Sequence, residues 1–197
     1  PAVDGGLGGL GIGGAAIDAL HYIFIKFHRL FTGAAVNIVQ HIDGRRQRAV
    51  EPDPAALAIA QRKFGAGADM VRWHNGFLDS LELSGGWQPD KIVGALVLHQ
   101  VPVSQKRAIL EQIENLLAPG GMALIADYMG QDAPLMRALF RSSVQLLDGV
   151  KDTQPSADGA VEKLLAEIFA DAELLDRIHT ATGTISLWRG IKKGNVQ

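Results

Sequence analysis

Apolar positions along this chain come in two rhythms. Short β-branched, aliphatic or aromatic runs read as strands at 22–27 (YIFIKF), 47–51, 70–74, 91–98 (KIVGALVL), 122–127, 172–180 and 183–192. Stretches with helical spacing lie between them, at 34–43, 54–64, 105–117, 135–147 and 159–169. The run 91–98 is almost continuously apolar and ends at His99, the mark of a central parallel strand covered on both faces. Gly44 is placed to close the 34–43 helix, and Ser104 to cap the 105–117 helix. The inward stripe of that helix is expected to be Ala108, Ile109, Gln112, Ile113, Leu116 and Leu117. Residues 148–155 read as a polar loop, and Thr182-Gly183 as a hairpin turn. Alternating strands and helices that end in an antiparallel hairpin predict an α/β fold.

One junction holds chemistry. Residues 48–51 end a strand on Glu51; Pro52 and Pro54 lack backbone donors and stop it. Asp53 is placed to cap the following helix, with Pro54 at its first position. Leu57, Ile59, Ala60 and Phe64 form its apolar side. In open α/β sheets ligands bind at the carboxyl ends of strands, where an acid after the second strand takes ribose hydroxyls. Glu51 is either that acid or one that simply starts a helix.

Composition narrows the choice. With 197 residues, 47% hydrophobic and 20% charged, the chain is expected to fold as a single domain, 1–197, with a sizeable core. A net charge of −2 without a basic tract disfavours nucleic acid as a partner. The sequence has no cysteine, which removes thiolate chemistry and fits an intracellular, cytoplasmic enzyme. No stretch is long and apolar enough to span a membrane, and the six histidines form no metal-ligand spacing. The first residue is Pro1.

Glycines crowd the beginning, with seven between Gly5 and Gly14. They make either a phosphate-cradling loop or a linker. No strand precedes them, and Glu51 follows Gly14 by 37 residues where roughly 20 are wanted for a nicotinamide-binding unit. Gly33 lies 18 residues before Glu51, a workable spacing for a mononucleotide loop.

Residues 47–192 resemble the class I S-adenosylmethionine-dependent methyltransferases, specifically the small "type 11/12" methyltransferase-domain proteins. Four segments carry the resemblance: VEPDP at 50–54, NGFLDSL at 75–81 with WQPD at 87–90, DKIVGALVLHQVP at 90–102, and LLAPGGMALIADY at 116–128. The resemblance implies a Rossmann-like three-layer α/β/α sandwich with a seven-stranded, mostly parallel sheet in order 3-2-1-4-5-7-6, strand seven antiparallel. It implies S-adenosyl-L-methionine as cofactor, with Glu51 on the ribose, next to Pro52. Gly76, Phe77 and Leu78 approach the adenine, Phe77 packing on the ring or Asp79 reaching its amine. Leu98 and His99 flank the methionine part and the methyl group. The family's first glycine motif falls on Phe27, Arg29, Phe31 and Gly33, so one of its glycines remains.

Methyl transfer needs alignment of nucleophile and methyl group, and a base when the acceptor is a hydroxyl or an acidic carbon. His99 is that base or a packed histidine at a strand end. Asp127 and Tyr128 end their strand and either line an acceptor pocket or serve a structural role there. Residues 130–159 are expected to form a helical lid, with Met136, Leu139, Phe140, Val144 and Leu147 as an apolar wall and Asp148, Asp152 and Gln154 as loop polars. The implied function is methylation of a small-molecule acceptor by a monomer or homodimer. The alternative is a catalytically silent methyltransferase fold that binds a ligand or partner.

Overall fold

The structure is a computed structural model and describes residues 37–40, 47–64, 69 and 71–194. These residues all belong to one compact unit, Ala35–Gln197. The expectations for the 5–14 glycines, the 22–27 strand and its following loop, with Phe27, Arg29, Phe31 and Gly33, lie outside the described residues.

Seven strands form one sheet in the order β3-β2-β1-β4-β5-β7-β6. They are β1 (Asn37–Gln40), β2 (Gln47–Val50), β3 (Val71–His74), β4 (Lys91–Ala95), β5 (Met122–Tyr128), β6 (Asp171–Thr180) and β7 (Gly183–Ile191). β2 runs parallel to β3, and β4 to β5, while β7 is antiparallel to both β5 and β6. β1 is also reversed, antiparallel to β2 and to β4. The expectation of a single reversed strand therefore does not hold.

β1 also corrects the helix expected at 34–43. Asn37-Ile38-Val39-Gln40 has two adjacent β-branched residues, and both its edges are taken by neighbouring strands. Ile38, Val39 and Gln40 pair on both sides and Asn37 on one, which satisfies their backbone groups without a helix. Asn37 pairs with Val50, so the chain enters β1 at the edge of the sheet that carries Glu51.

The helices are α1 (Pro54–Phe64), α2 (Val103–Leu116), α3 (Pro134–Ser142), α4 (Val144–Asp148), α5 (Val150–Ala157) and α6 (Ala160–Ile168). Adjacent residues of a strand face opposite ways, and β2 shows it. Val50 joins the main core, which includes Ile92 and Ile125 from the sheet, Leu110 and Ile113 from α2, and Leu164 and Leu165 from α6. Ala49 packs instead with Ala60 of α1 and with Val71. Trp87 packs back against the main core.

Four other expectations are corrected. The strand ending at Leu98 stops at Ala95; Leu96 takes φ 55°, and Leu98–Gln100 forms a 3-10 turn. α2 starts two residues before Gln105, with Pro102 rather than Ser104 at its N-cap. Its buried positions are Lys106, Leu110 and Ile113, continued by Leu117, whereas Ala108 is exposed. The 135–147 helix breaks at Ser143, whose hydroxyl donates to the carbonyls of Leu139 (2.6 Å) and Thr182 (3.2 Å). The 148–155 loop is mostly helix α5. Gly149, at φ 85°, allows the chain to turn sharply out of α4 and start again. The buried faces of α5 are small, Thr153, Ser156 and Ala157, which is why no apolar stripe announced it. Among the described residues no helix is long and apolar enough to cross a membrane, and no group of His, Asp and Glu is placed to hold a metal ion.

Candidate functional site

Glu51 follows the last residue of β2 and is buried at 6% exposure. Its backbone is stitched to the next strand and loop. Its amide donates to the His74 carbonyl at 3.0 Å, and its carbonyl accepts from the Gly76 amide at 3.2 Å. Asn75 Nδ2 adds bonds to the carbonyls of Glu51 (2.9 Å) and Pro52 (3.1 Å). The two proline-interrupted residues after β2 leave carbonyls that no strand claims, and the Asn75 amide collects them. Oε1 of Glu51 accepts the Asp53 amide at 2.9 Å. Burial raises the Glu51 pKa above the usual carboxylate value, against the opposing Asp53 amide bond. Asp53 caps α1 as expected, accepting the Ala55 amide at 2.8 Å.

Gly76 is enclosed. A Cβ there would lie 2.7 Å from both His74 Nε2 and Ser80 Oγ, which are themselves hydrogen-bonded at 2.9 Å. Phe77 follows, 68% exposed, beside the Leu78–Ser80 turn and the exposed Asp79. The structure thus brings together Glu51, Pro52, Gly76, Phe77, Leu78 and Asp79 at the carboxyl ends of β2 and β3.

A second cluster stands at the ends of β4 and β5. The left-handed Leu96 is uncommon for a branched side chain and turns the next two amides toward β5. Val97 and Leu98 both donate to Asp127 Oδ2, at 2.9 and 2.6 Å. Asp127 Oδ1 accepts the Tyr128 amide at 2.7 Å and lies 2.6 Å from His99 Nδ1. Four donors therefore hold one buried carboxylate, and Nδ1 of His99 must carry a proton to be one of them. On the other side of the ring, Nε2 lies 3.4 Å from Asp148 Oδ2. The Tyr128 ring meets His99 edge-on at 5.2 Å, and its hydroxyl lies 2.5 Å from Thr182 Oγ1.

His99 is 3% exposed. Burial disfavours its charged form, yet its pKa is raised, because the charge and hydrogen bond of Asp127 and the charge of Asp148 outweigh burial and Lys106. Lys106 is fully buried, and its Nζ donates to the carbonyls of Leu98 (2.6 Å), Asp152 (2.9 Å) and Val101. Burial lowers its pKa, opposed by Asp127 and Asp152. Leu98 itself belongs to the main core, with its amide spent on Asp127 and its carbonyl on Lys106.

Glu51 and His99 stand out in the sequence, whereas Lys106 does not, and the role of Asp127 is structural, on His99 Nδ1. Lys106 was detectable: it stands four and seven residues before Leu110 and Ile113, on their face of the helix. Of the residues expected to wall a lid, Met136, Phe140 and Val144 are buried, whereas Leu147 is 84% exposed.

No protein-family model matches the chain, and no curated protein matches it. Solved structures do. The N-methyltransferase NodS from Bradyrhizobium japonicum WM9 superposes with a TM-score of 0.54 at 13% identity, over 89% of this chain and 96% of that one. A putative O-methyltransferase from Nostoc punctiforme PCC 73102 gives 0.54 at 18% identity, over 71% of this chain and 42% of its own. The S-adenosylmethionine-dependent methyltransferase SibL gives 0.51 at 21% identity, over 74% and 42%. The likeness is one of fold. The chain spans less than half the length of the last two.

Proposed function

We propose that this chain is an S-adenosyl-L-methionine-dependent methyltransferase acting on a small-molecule acceptor. The observation that carries the reading is Glu51: a buried carboxylate at the carboxyl end of β2, disfavoured by its own burial and set beside an exposed aromatic ring. A carboxylate in that state gains most from two hydroxyl donors, which a ribose supplies. Phe77 offers a flat face to a purine, and Asp79 an acceptor for its amine. The described residues fit the nucleoside end of the cofactor; Gly33, assigned to the other end, lies outside them.

The cofactor, when bound, supplies a methyl group on a sulfonium. His99 does the remaining chemistry as the base. Asp127 fixes the Nδ1–H tautomer, so Nε2 is the nitrogen that accepts the acceptor's proton. Tyr128 holds the ring from its edge, and residues 130–159 act as the lid.

Calorimetry with S-adenosylhomocysteine tests the reading. Wild type should bind with a micromolar-scale dissociation constant, and Glu51→Ala should weaken binding about 10- to 100-fold, the worth of charge-assisted hydrogen bonds. Equal affinity of the two proteins removes Glu51 from the site. Absence of binding by the folded wild type removes the cofactor altogether.

A further inference from the structure

His99 is held between two carboxylates that differ in kind. Asp127 is 1% exposed and fixed by four donors. Asp148 has a side chain 30% exposed, ends the five-residue helix α4, and precedes Gly149 at φ 85°. An imidazole can donate to both acids at once only as imidazolium. With His99 neutral, the lone pair of Nε2 would face the Asp148 carboxylate, an arrangement with no attraction. Nε2 thus becomes a base only when Asp148 gives up its place.

We propose that Asp148 is the positioning residue for proton transfer at His99, occupying Nε2 until an acceptor's O–H or N–H takes that place and then facing the imidazolium that forms. This rests on the reading of His99 as the base. The acceptor's proton passes to Nε2: for an O–H acceptor the pair left on oxygen would form the bond to the methyl carbon, and for an amine the nitrogen's own lone pair would form it, the N–H pair returning to nitrogen as the proton leaves. The pair from the broken carbon–sulfur bond would stay on the cofactor's sulfur, and the imidazolium returns its proton to water past the part-exposed Asp148. The groups that set the His99 charge are Asp127 from β5, Asp148 from α4, and Lys106 from α2. The Nζ of Lys106 lies 3.5 Å from the His99 carbonyl. Tyr128 adds its ring edge, and Asp152 acts through Lys106.

The first test needs neither cofactor nor acceptor. In protein labelled with nitrogen-15 histidine, the His99 titration is followed by NMR in wild type, Asp148→Asn and Asp148→Glu. The Asn variant should titrate at lower pH, because one of the two acids that favour the charged ring is gone, and the Glu variant should restore the shift. Unmoved His74 and His179 signals report an intact fold. The second test is the pH dependence of kcat/KM with catechol or benzylamine as acceptor. The acid limb should move down in Asp148→Asn by the same interval as the NMR midpoint. A midpoint that stays where wild type has it overturns the proposal, as does a midpoint that moves while the pH profile does not. Failure of the underlying reading shows differently: S-adenosylhomocysteine does not bind wild type, while the His99 midpoint still shifts in Asp148→Asn.

Discussion

Glu51 poses the trade between stability and binding at the scale of one residue. Its folded-state pKa is raised by burial. The sign follows by linkage: the unfolded chain ionises first as pH rises, so the native state loses stability from about 4.5, the ordinary glutamate value, up to the raised folded value. Below that window both states are protonated and the loss is absent. Glu51→Gln keeps the shape without the charge, so it should raise Tm at pH 7 and leave it unchanged near pH 4, while binding S-adenosylhomocysteine more weakly. Thermal melts at the two pH values check this; a Gln variant less stable at pH 7 than wild type would show that the carboxylate is stabilised by its surroundings. Glu51 was legible in the sequence because two prolines and a capping Asp fix where the strand stops. Asp148 was visible only as a polar residue in a loop, because its contact with His99 crosses 49 positions of chain, a separation along which no local pattern runs.

Elements repeat the lesson. α1 and the β6–β7 hairpin could be read because caps, prolines and a turn glycine mark their ends. α5 could not, since its buried face is Thr153, Ser156 and Ala157, and β1 could not, since four residues bear too short a pattern to distinguish strand from helix. What ties α5 to the turn bearing His99 is Lys106, a cation on the apolar face of α2. Its amine bridges the carbonyls of Leu98 and Val101 to that of Asp152. Lys106→Met has similar length and no donors. It relieves a buried charge but leaves those carbonyls without their partner, at about 1–3 kcal/mol for each unsatisfied group. The net expected loss is about 2–4 kcal/mol, well below the sum, because the desolvation of the ammonium is recovered. Urea unfolding measures it, and a variant as stable as wild type would show that the bridge contributes nothing net.

Across the whole sheet, stability should be graded. β5 lies between β4 and β7, pairs along its seven residues with β7, and contributes Ala123 and Ile125 to the main core. β2 and β3 pair over four residues, and the smaller cluster beside them holds Ala49, Ala60 and Val71. Local opening draws on the regions with least buried apolar contact. Amides of Leu124 and Ile125 should therefore exchange with deuterium only through global unfolding, whereas those of Glu51 and Gly76, bonded across the β2–β3 end, should exchange through a smaller opening at lower free energy. The nucleoside half of the proposed site would then sit on the weaker side of the sheet and the His99 cluster on the stronger one. A ligand that binds only the closed form adds its binding free energy to each opening that destroys the site. S-adenosylhomocysteine at 100 times its dissociation constant should accordingly slow exchange at Glu51 and Gly76 by about 100-fold. Leu124 and Ile125 should slow by the same factor, since global unfolding also destroys the site. If the ligand slows only the β5 amides and leaves Glu51 and Gly76 as they were, the small opening keeps the site intact, and the ribose contact cannot be at Glu51.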